Sequence, residues 1–172
     1  PPPPILSGLV GSEMCIRDRY VTGQSMGGAG TYSAILAEPN LFAAAVPVCG
    51  RGQPDLAKKI VHIPIWIFHG ELDRVVPTQH SRDMNAALKK AGGKPTYTEY
   101  AGVRHNSWTP TYADKKLWEW LFAQKRKDIK SKLTPKQVLQ FFNEVMLGEW
   151  TGIDKETKEM LFLQLTHNHL PC

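Results

Sequence analysis

The feature that most constrains this chain is Gly23-Gln24-Ser25-Met26-Gly27, a G-x-S-x-G run, together with what flanks it. Tyr20 to Gly23 reads as a short strand entering a Gly-rich turn. Gly27 to Glu38 reads as a helix of small and apolar residues, stopped by Pro39-Asn40. A serine on so sharp a strand-to-helix turn takes a strained backbone conformation. Side chains two residues to either side of it would strike neighbouring backbone, so glycine is required there. The turn lifts the hydroxyl above the strand ends, and the helix N-terminus beneath it favours developing negative charge. The bland alternative is a Gly-rich loop that enters a helix for packing reasons. A phosphate-binding loop fits less well, because no G-K-[ST] follows.

The rest of the chain alternates in the same way. Phe42 to Cys49 is a continuous apolar run, as expected of a strand buried on both faces. Residues 50–54 read as loop, and Asp55 to Ile60 as one helical turn or two. Ile63 to Phe68 reads as a second buried strand, with Pro64 near its start, where a missing donor is tolerated. Pro77 to Ala91 reads as an amphipathic helix closed by Gly92-Gly93. Thr96 to Tyr100 reads as a strand and Pro110 to Gln124 as a helix rich in aromatics. Strands alternating with helices at this spacing predict an α/β fold, a parallel sheet with crossover helices.

A serine hydroxyl is a weak nucleophile and needs a base, which needs an orienting acid. On a strand–turn–helix of this kind the partners follow in the order Ser, Asp or Glu, His. Asp73 comes just after Phe68-His69-Gly70, and His105 lies in Gly102 to Trp108, directly after the next strand. Both stand at strand C-terminal ends, where ligands bind in open α/β sheets. His69 competes as a base, but a strand-ending His-Gly favours a structural role. His62 and His80 are expected to be exposed or hydrogen-bonded. His167 and His169 do not make a zinc site, and no Cys/His set completes one. No metal is expected. Of the cysteines at 15, 49 and 172, none falls in a zinc or redox spacing and no disulfide framework is inferred. Cys49, ending an apolar run, is expected to behave as a small hydrophobe.

These residues resemble the α/β-hydrolase superfamily, and within it the bacterial phospholipase/carboxylesterase-like branch, near polyhydroxyalkanoate-depolymerase-type and feruloyl-type esterases. The resemblance runs from about Tyr20 to Arg126. Its markers are Gly23-Gln24-Ser25-Met26-Gly27-Gly28, Pro47-Val48-Cys49-Gly50, His69-Gly70 with Asp73 and Val76-Pro77, His105-Asn106-Ser107-Trp108, and a closing helix at Trp118 to Phe122. It implies a serine esterase with Ser25 as nucleophile, His105 as general base and acid, and Asp73 as its orienter. Gly23, Gln24 and Gly27 would form the nucleophile elbow, and the Met26 N–H would be one oxyanion donor. It implies no cofactor, a small-molecule or polymer ester as substrate, and export to the periplasm or medium, as is frequent in that branch. A prolyl-oligopeptidase-like peptidase and a non-catalytic hydrolase-like binding module remain alternatives.

The resemblance also carries an expectation about completeness. The family's sheet has strands before the nucleophile strand, and this chain has none, so residues 19–126 correspond to the C-terminal half of the fold. The first strand would then offer an unpaired apolar edge, and the chain as written is expected to be poorly soluble or nearly inactive. Leu9 to Asp18 resembles the translation of a transposase-based sequencing adapter, which places the start of native coding near Arg19. Residues 127–172 are expected to form a basic linker and helical tail, with Thr134-Pro135 as a helix start and a second helix from Asp154 to about Leu165. The net charge is +5, much of it in the run from Lys125 to Lys132, which lacks interleaved aromatics. A solvated helix end entering a linker explains it better than nucleic-acid binding. No apolar run approaches the ~20 residues that span a bilayer.

Overall fold

The structure is a computed structural model and describes residues 18–126. The expectations for the N-terminal segment up to residue 17, and for the tail from 127 onward, lie outside the described residues. Strands β1 (Tyr20–Gln24), β2 (Ala44–Val48), β3 (Trp66–Gly70) and β4 (Thr96–Tyr100) form one parallel sheet in the order β1-β2-β3-β4. Helix α1 (Met26–Ala37) joins the first pair, a 3-10 helix over Pro54–Lys59 lies between β2 and β3, and α2 (Gln79–Lys90) joins β3 to β4. Two short helices, α3 (Trp108–Ala113) and α4 (Lys115–Ala123), close the described part.

Period-two alternation sorts the strand side chains onto two cores. Val21, Ala45, Ile65 and Ile67 pack with Tyr32 and Ile35 of α1 and with Met84 and Leu88 of α2. Tyr20, Ala44, Val46, Val48 and Phe68 pack with Leu117 and Leu121 of α4. Helices on both faces explain why every residue of β2 is buried and why its sequence is apolar throughout. Within α2, Ser81, Met84 and Leu88 recur at helical spacing and face the sheet. Gly92, at φ +91°, turns the chain out of that helix. Among the described residues β1 pairs on one side only, with β2, and none of the helices is long and apolar enough to cross a membrane.

The structure corrects one element. The expected single helix from Pro110 to Gln124 is two helices, and the first begins at Trp108. The break is Asp114, which takes an extended conformation (φ −78°, ψ 114°) and accepts the Lys116 N–H on its side chain at 2.9 Å. An aspartate that can satisfy an orphan helix N–H favours a restart over a continuous helix.

The register sets the strand C-termini side by side. Gln24 lies opposite Val48, Val48 opposite Phe68, and Gly70 opposite Tyr100. The segment entering α1 then passes so close to the end of β2 that no side chain fits between. A Cβ on Gly50 would lie 2.3 Å from the Gly28 carbonyl carbon, and one on Gly23 would lie 2.3 Å from the Gly27 oxygen. These obstacles are backbone and cannot swing away. Gly50→Ala is therefore expected to destabilise the fold by about 1–3 kcal/mol or more, read as a fall in the denaturation midpoint. An unchanged midpoint would show that these segments separate without cost.

Candidate active site

Ser25 is the residue between β1 and α1, at φ 55° and ψ −116°. It occupies the helix N-cap position, where a serine ordinarily turns its hydroxyl onto the helix's own N–H groups. Here the side chain makes no capping bond. Its Oγ–H points instead to His105 Nε2 at 2.9 Å. That distinguishes the site from a Gly-rich loop built only for packing. The Ser25 N–H is held by the Val48 carbonyl at 2.9 Å and reaches Cys49 Sγ at 3.3 Å, so the end of β2 pins the turn in place.

His105 donates from Nδ1 to Asp73 Oδ2 at 2.7 Å. The Asp73 side chain is fully buried and that of His105 is one-fifth exposed (21%), which leaves Nε2 near solvent and the carboxylate away from it. The other carboxylate oxygen, Oδ1, accepts the N–H groups of Val75 at 2.9 Å and Val76 at 3.0 Å. Burial pushes the Asp73 carboxyl up, but the bonds from His105, Val76 and Val75 outweigh it and hold the group below its ordinary value of 3.8. The two loops that bring these residues together are bonded to each other. Glu71 N–H reaches the Tyr100 carbonyl at 3.0 Å, Leu72 N–H the Val103 carbonyl at 2.8 Å, and Gly102 N–H the Glu71 side chain at 2.8 Å. A Cβ on Gly70 would strike the Arg104 oxygen at 2.2 Å, so glycine at the end of β3 lets the His105 loop close over it.

The structure thus brings Ser25, His105 and Asp73 into one hydrogen-bonded row, with Gly23, Gln24, Met26 and Gly27 forming the turn beneath. Two of the other described histidines, His62 and His80, make no bond to the row. His62 bonds the Pro39 carbonyl at 2.9 Å, and His80 lies on α2. His69 is fully buried behind Asp73, with Nε2 3.1 Å from its Oδ2. Cys49 does more than fill space. It sits at φ 40°, and Ser25 N–H reaches its sulfur. Burial chiefly raises its thiol, against weaker opposing contacts from Ser107 and Ser25. Cys49, Asp73 and His105 are the one group of would-be metal ligands among the described residues. As a ligand set they are poor, because Asp73 and His105 are spent on each other and the thiol is held protonated.

Beside His105 lies an open cavity of about 300 Å³ lined by Leu72, Arg74, Val75 and Arg104. Leu72 and Val75 are large apolar side chains left exposed, as is Met26 next to the serine. The sequence carried no sign of the Ser25–Val48 bond or of the Gly28–Gly50 contact, since both depend on how two crossovers meet.

The model of the dienelactone hydrolase family matches residues 12–146. The chain belongs to the dienelactone hydrolase family. The match covers all the described residues, and no curated protein matches this family member. Among solved structures, a thermostable esterase is 48% identical, with a TM-score of 0.61, over 62% of this chain and 31% of the esterase. The chain therefore spans about a third of that relative's length. The Pyrococcus horikoshii acylaminoacyl peptidase is 19% identical (TM-score 0.54, 72% of this chain and 26% of the peptidase). The Porphyromonas gingivalis dipeptidyl peptidase 4 is 18% identical (TM-score 0.54, 61% of this chain and 19% of the peptidase). At those identities the peptidases speak to the fold alone, a partial α/β-hydrolase fold, as the sequence predicts.

A carboxyl whose folded value is lowered stabilises the fold above its unfolded value, and that contribution fades as pH falls through the folded one. Asp73→Asn is therefore expected to cost about 1–3 kcal/mol near neutral pH. The gap to the parent should narrow as pH drops below 3.8. Denaturant titrations across acid pH measure this. A gap independent of pH would show that the charge on Asp73 is not what the surrounding N–H groups hold.

Proposed function

We propose that this chain carries the catalytic centre of a serine hydrolase that cleaves carboxylic esters through an acyl-enzyme. The observation that supports it most is the unbroken row from Ser25 Oγ to His105 at 2.9 Å and from His105 to Asp73 at 2.7 Å, at the mouth of the sheet's C-terminal edge. In this reading Ser25 Oγ attacks the ester carbonyl carbon and its proton passes to His105 Nε2. Asp73 holds the ring's other N–H and so stabilises the imidazolium that forms. The carbonyl oxygen, now negative, faces the Met26 N–H, one of the helix donors left without an intrahelical acceptor. His105 returns the proton to the departing alkoxide, the alcohol leaves, and water repeats the cycle on the acyl-serine.

Family membership and the 48%-identical thermostable esterase support ester chemistry over peptide cleavage. The peptidase reading rests on fold likeness only. The markers from Gly23 to Gly28 and from His105 to Trp108 further support placement near the phospholipase/carboxylesterase-like branch. The exposed Met26, Leu72 and Val75 favour a substrate with an apolar body, whether a small ester or a polymer surface. We assign the catalytic unit to residues 19–126 and regard 127–172 as an appended segment.

An oxyanion donor such as the Met26 N–H is worth about 10²–10³ in turnover, and the purified chain is expected to react with a fluorophosphonate at Ser25. Labelling of the purified chain should be abolished by Ser25→Ala and by His105→Ala. Labelling that survives Ser25→Ala, or a folded parent that takes no label, contradicts the proposal.

A further inference from the structure

We infer that His69 is a positioning residue for this row, a buried imidazole that shares the Asp73 carboxylate with His105 and fixes how that carboxylate faces it; the inference rests on the reading of Ser25, His105 and Asp73 just given. His69 lies in β3, four residues before Asp73, with no exposed surface. Its Nε2 is 3.1 Å from Asp73 Oδ2 and 2.9 Å from the Val76 carbonyl. Both neighbours only accept, so Nε2 carries the hydrogen and divides it between them. Nδ1 is 2.7 Å from Ser81 Oγ. A neutral ring has one bare nitrogen, so the Ser81 hydroxyl donates to Nδ1. Burial, the largest influence, keeps the ring neutral against the opposing pull of Val76 and Asp73.

Ser81 has its own oddity, which this role removes. It lies on the face of α2 that carries Met84 and Leu88 into the core, is itself buried, and would be apolar if packing alone decided. Its bond to His69 gives a polar residue on that face a purpose. The charged or titratable groups that face His69 are Asp73 from the loop after β3, His105 from the loop after β4, and Glu99, its register partner in β4. Glu99 is bound by Arg82 and Tyr97, so its charge is already matched.

The consequence is a carboxylate with every direction taken. Oδ1 accepts two backbone N–H groups, and Oδ2 accepts one N–H from each imidazole. Two donors on Oδ2 divide its charge, and the buried one cannot move because β3 and Ser81 hold it. Without His69 only the two N–H groups on Oδ1 would hold the carboxylate from behind, and the whole charge of Oδ2 would bear on His105. The row would then hold its proton more tightly and present Nε2 less uniformly to Ser25.

Three variants of the full chain test this: His69→Phe, which keeps bulk and loses the donor; His69→Gln, whose amide N–H reaches about where Nε2 stands; and Ser81→Ala. The readouts are the rate of fluorophosphonate labelling at Ser25, its pH profile, and the low-field proton resonance of the His105–Asp73 bond. His69→Phe is expected to slow labelling about 10–100-fold, the range typical of residues that orient a functional ligand. Its acid limb should move to higher pH and its low-field resonance should shift. His69→Gln should recover most of the rate and return the limb. Ser81→Ala should give a smaller loss with a displaced resonance. A folded His69→Phe with parental rate, limb and resonance overturns the inference. So does equal loss in the Phe and Gln variants with an unmoved limb, which would mean packing alone. Should His69→Phe fail to fold, an unmoved resonance and limb in Ser81→Ala still overturn it. If the parent is never labelled at Ser25, the reading of the row itself fails; if the parent is labelled there and the variants match it, only the role of His69 fails.

Discussion

Three backbone segments meet at Ser25 with no side chain between them, and the rest of the site depends on that meeting. Gly23 lies against Gly27, Gly28 lies against Gly50, and the Val48 carbonyl holds the Ser25 N–H. Together they over-determine a turn at φ 55° and ψ −116° that a lone serine would not hold. Such a conformation costs of the order of 1–3 kcal/mol and persists only where its surroundings enforce it. What the strain gains is direction. The hydroxyl leaves the helix it would ordinarily cap and faces across the strand ends.

Parallel pairing turns that direction into a site. Because the register sets Gln24, Val48 and Phe68 in one row, with Gly70 and Tyr100 paired two residues beyond, the loops after β1, β3 and β4 leave from the same edge of the sheet. The loops after β3 and β4 are bonded to each other before they bond to Ser25, through Glu71, Leu72 and Val103. His105 and Asp73 are therefore set relative to each other by backbone contacts, and the row does not rely on long side chains finding one another. This is why Asp73 can be wholly buried while His105 keeps one nitrogen near solvent.

Much of this fold is legible in the sequence. The strands at Tyr20, Phe42, Ile63 and Thr96 were readable because a sheet covered on both faces demands apolar runs, and the crossovers between them demand helices. The meeting of Ser25, Asp73 and His105 is readable because each directly follows a strand and their order is restrictive. The break at Asp114 was not, since an aspartate beside two lysines is also compatible with a continuous helix and only the Lys116 N–H bond decides it. The company His69 keeps was half legible. Its place four residues before Asp73 is visible in the sequence, whereas Ser81 comes from a helix whose rotation about its axis is fixed by Met84 and Leu88. The left-handed backbone at Cys49 left no trace, because an apolar run shows burial and says nothing of φ. The superfamily was readable from the motifs; membership of the dienelactone hydrolase family came from the comparison over residues 12–146.

In the proposed mechanism Ser25 forms a covalent bond to an acyl group during turnover. Its most direct test is to mix the chain with p-nitrophenyl acetate, quench in acid within the first turnovers, digest, and find by mass spectrometry which peptide carries the acetyl group. One acetyl is expected, on the hydroxyl of Ser25, and it should decay when the undigested chain is returned to neutral pH. An acetyl found on Cys49 or on a lysine instead, or hydrolysis with no modified peptide at any time, would contradict it.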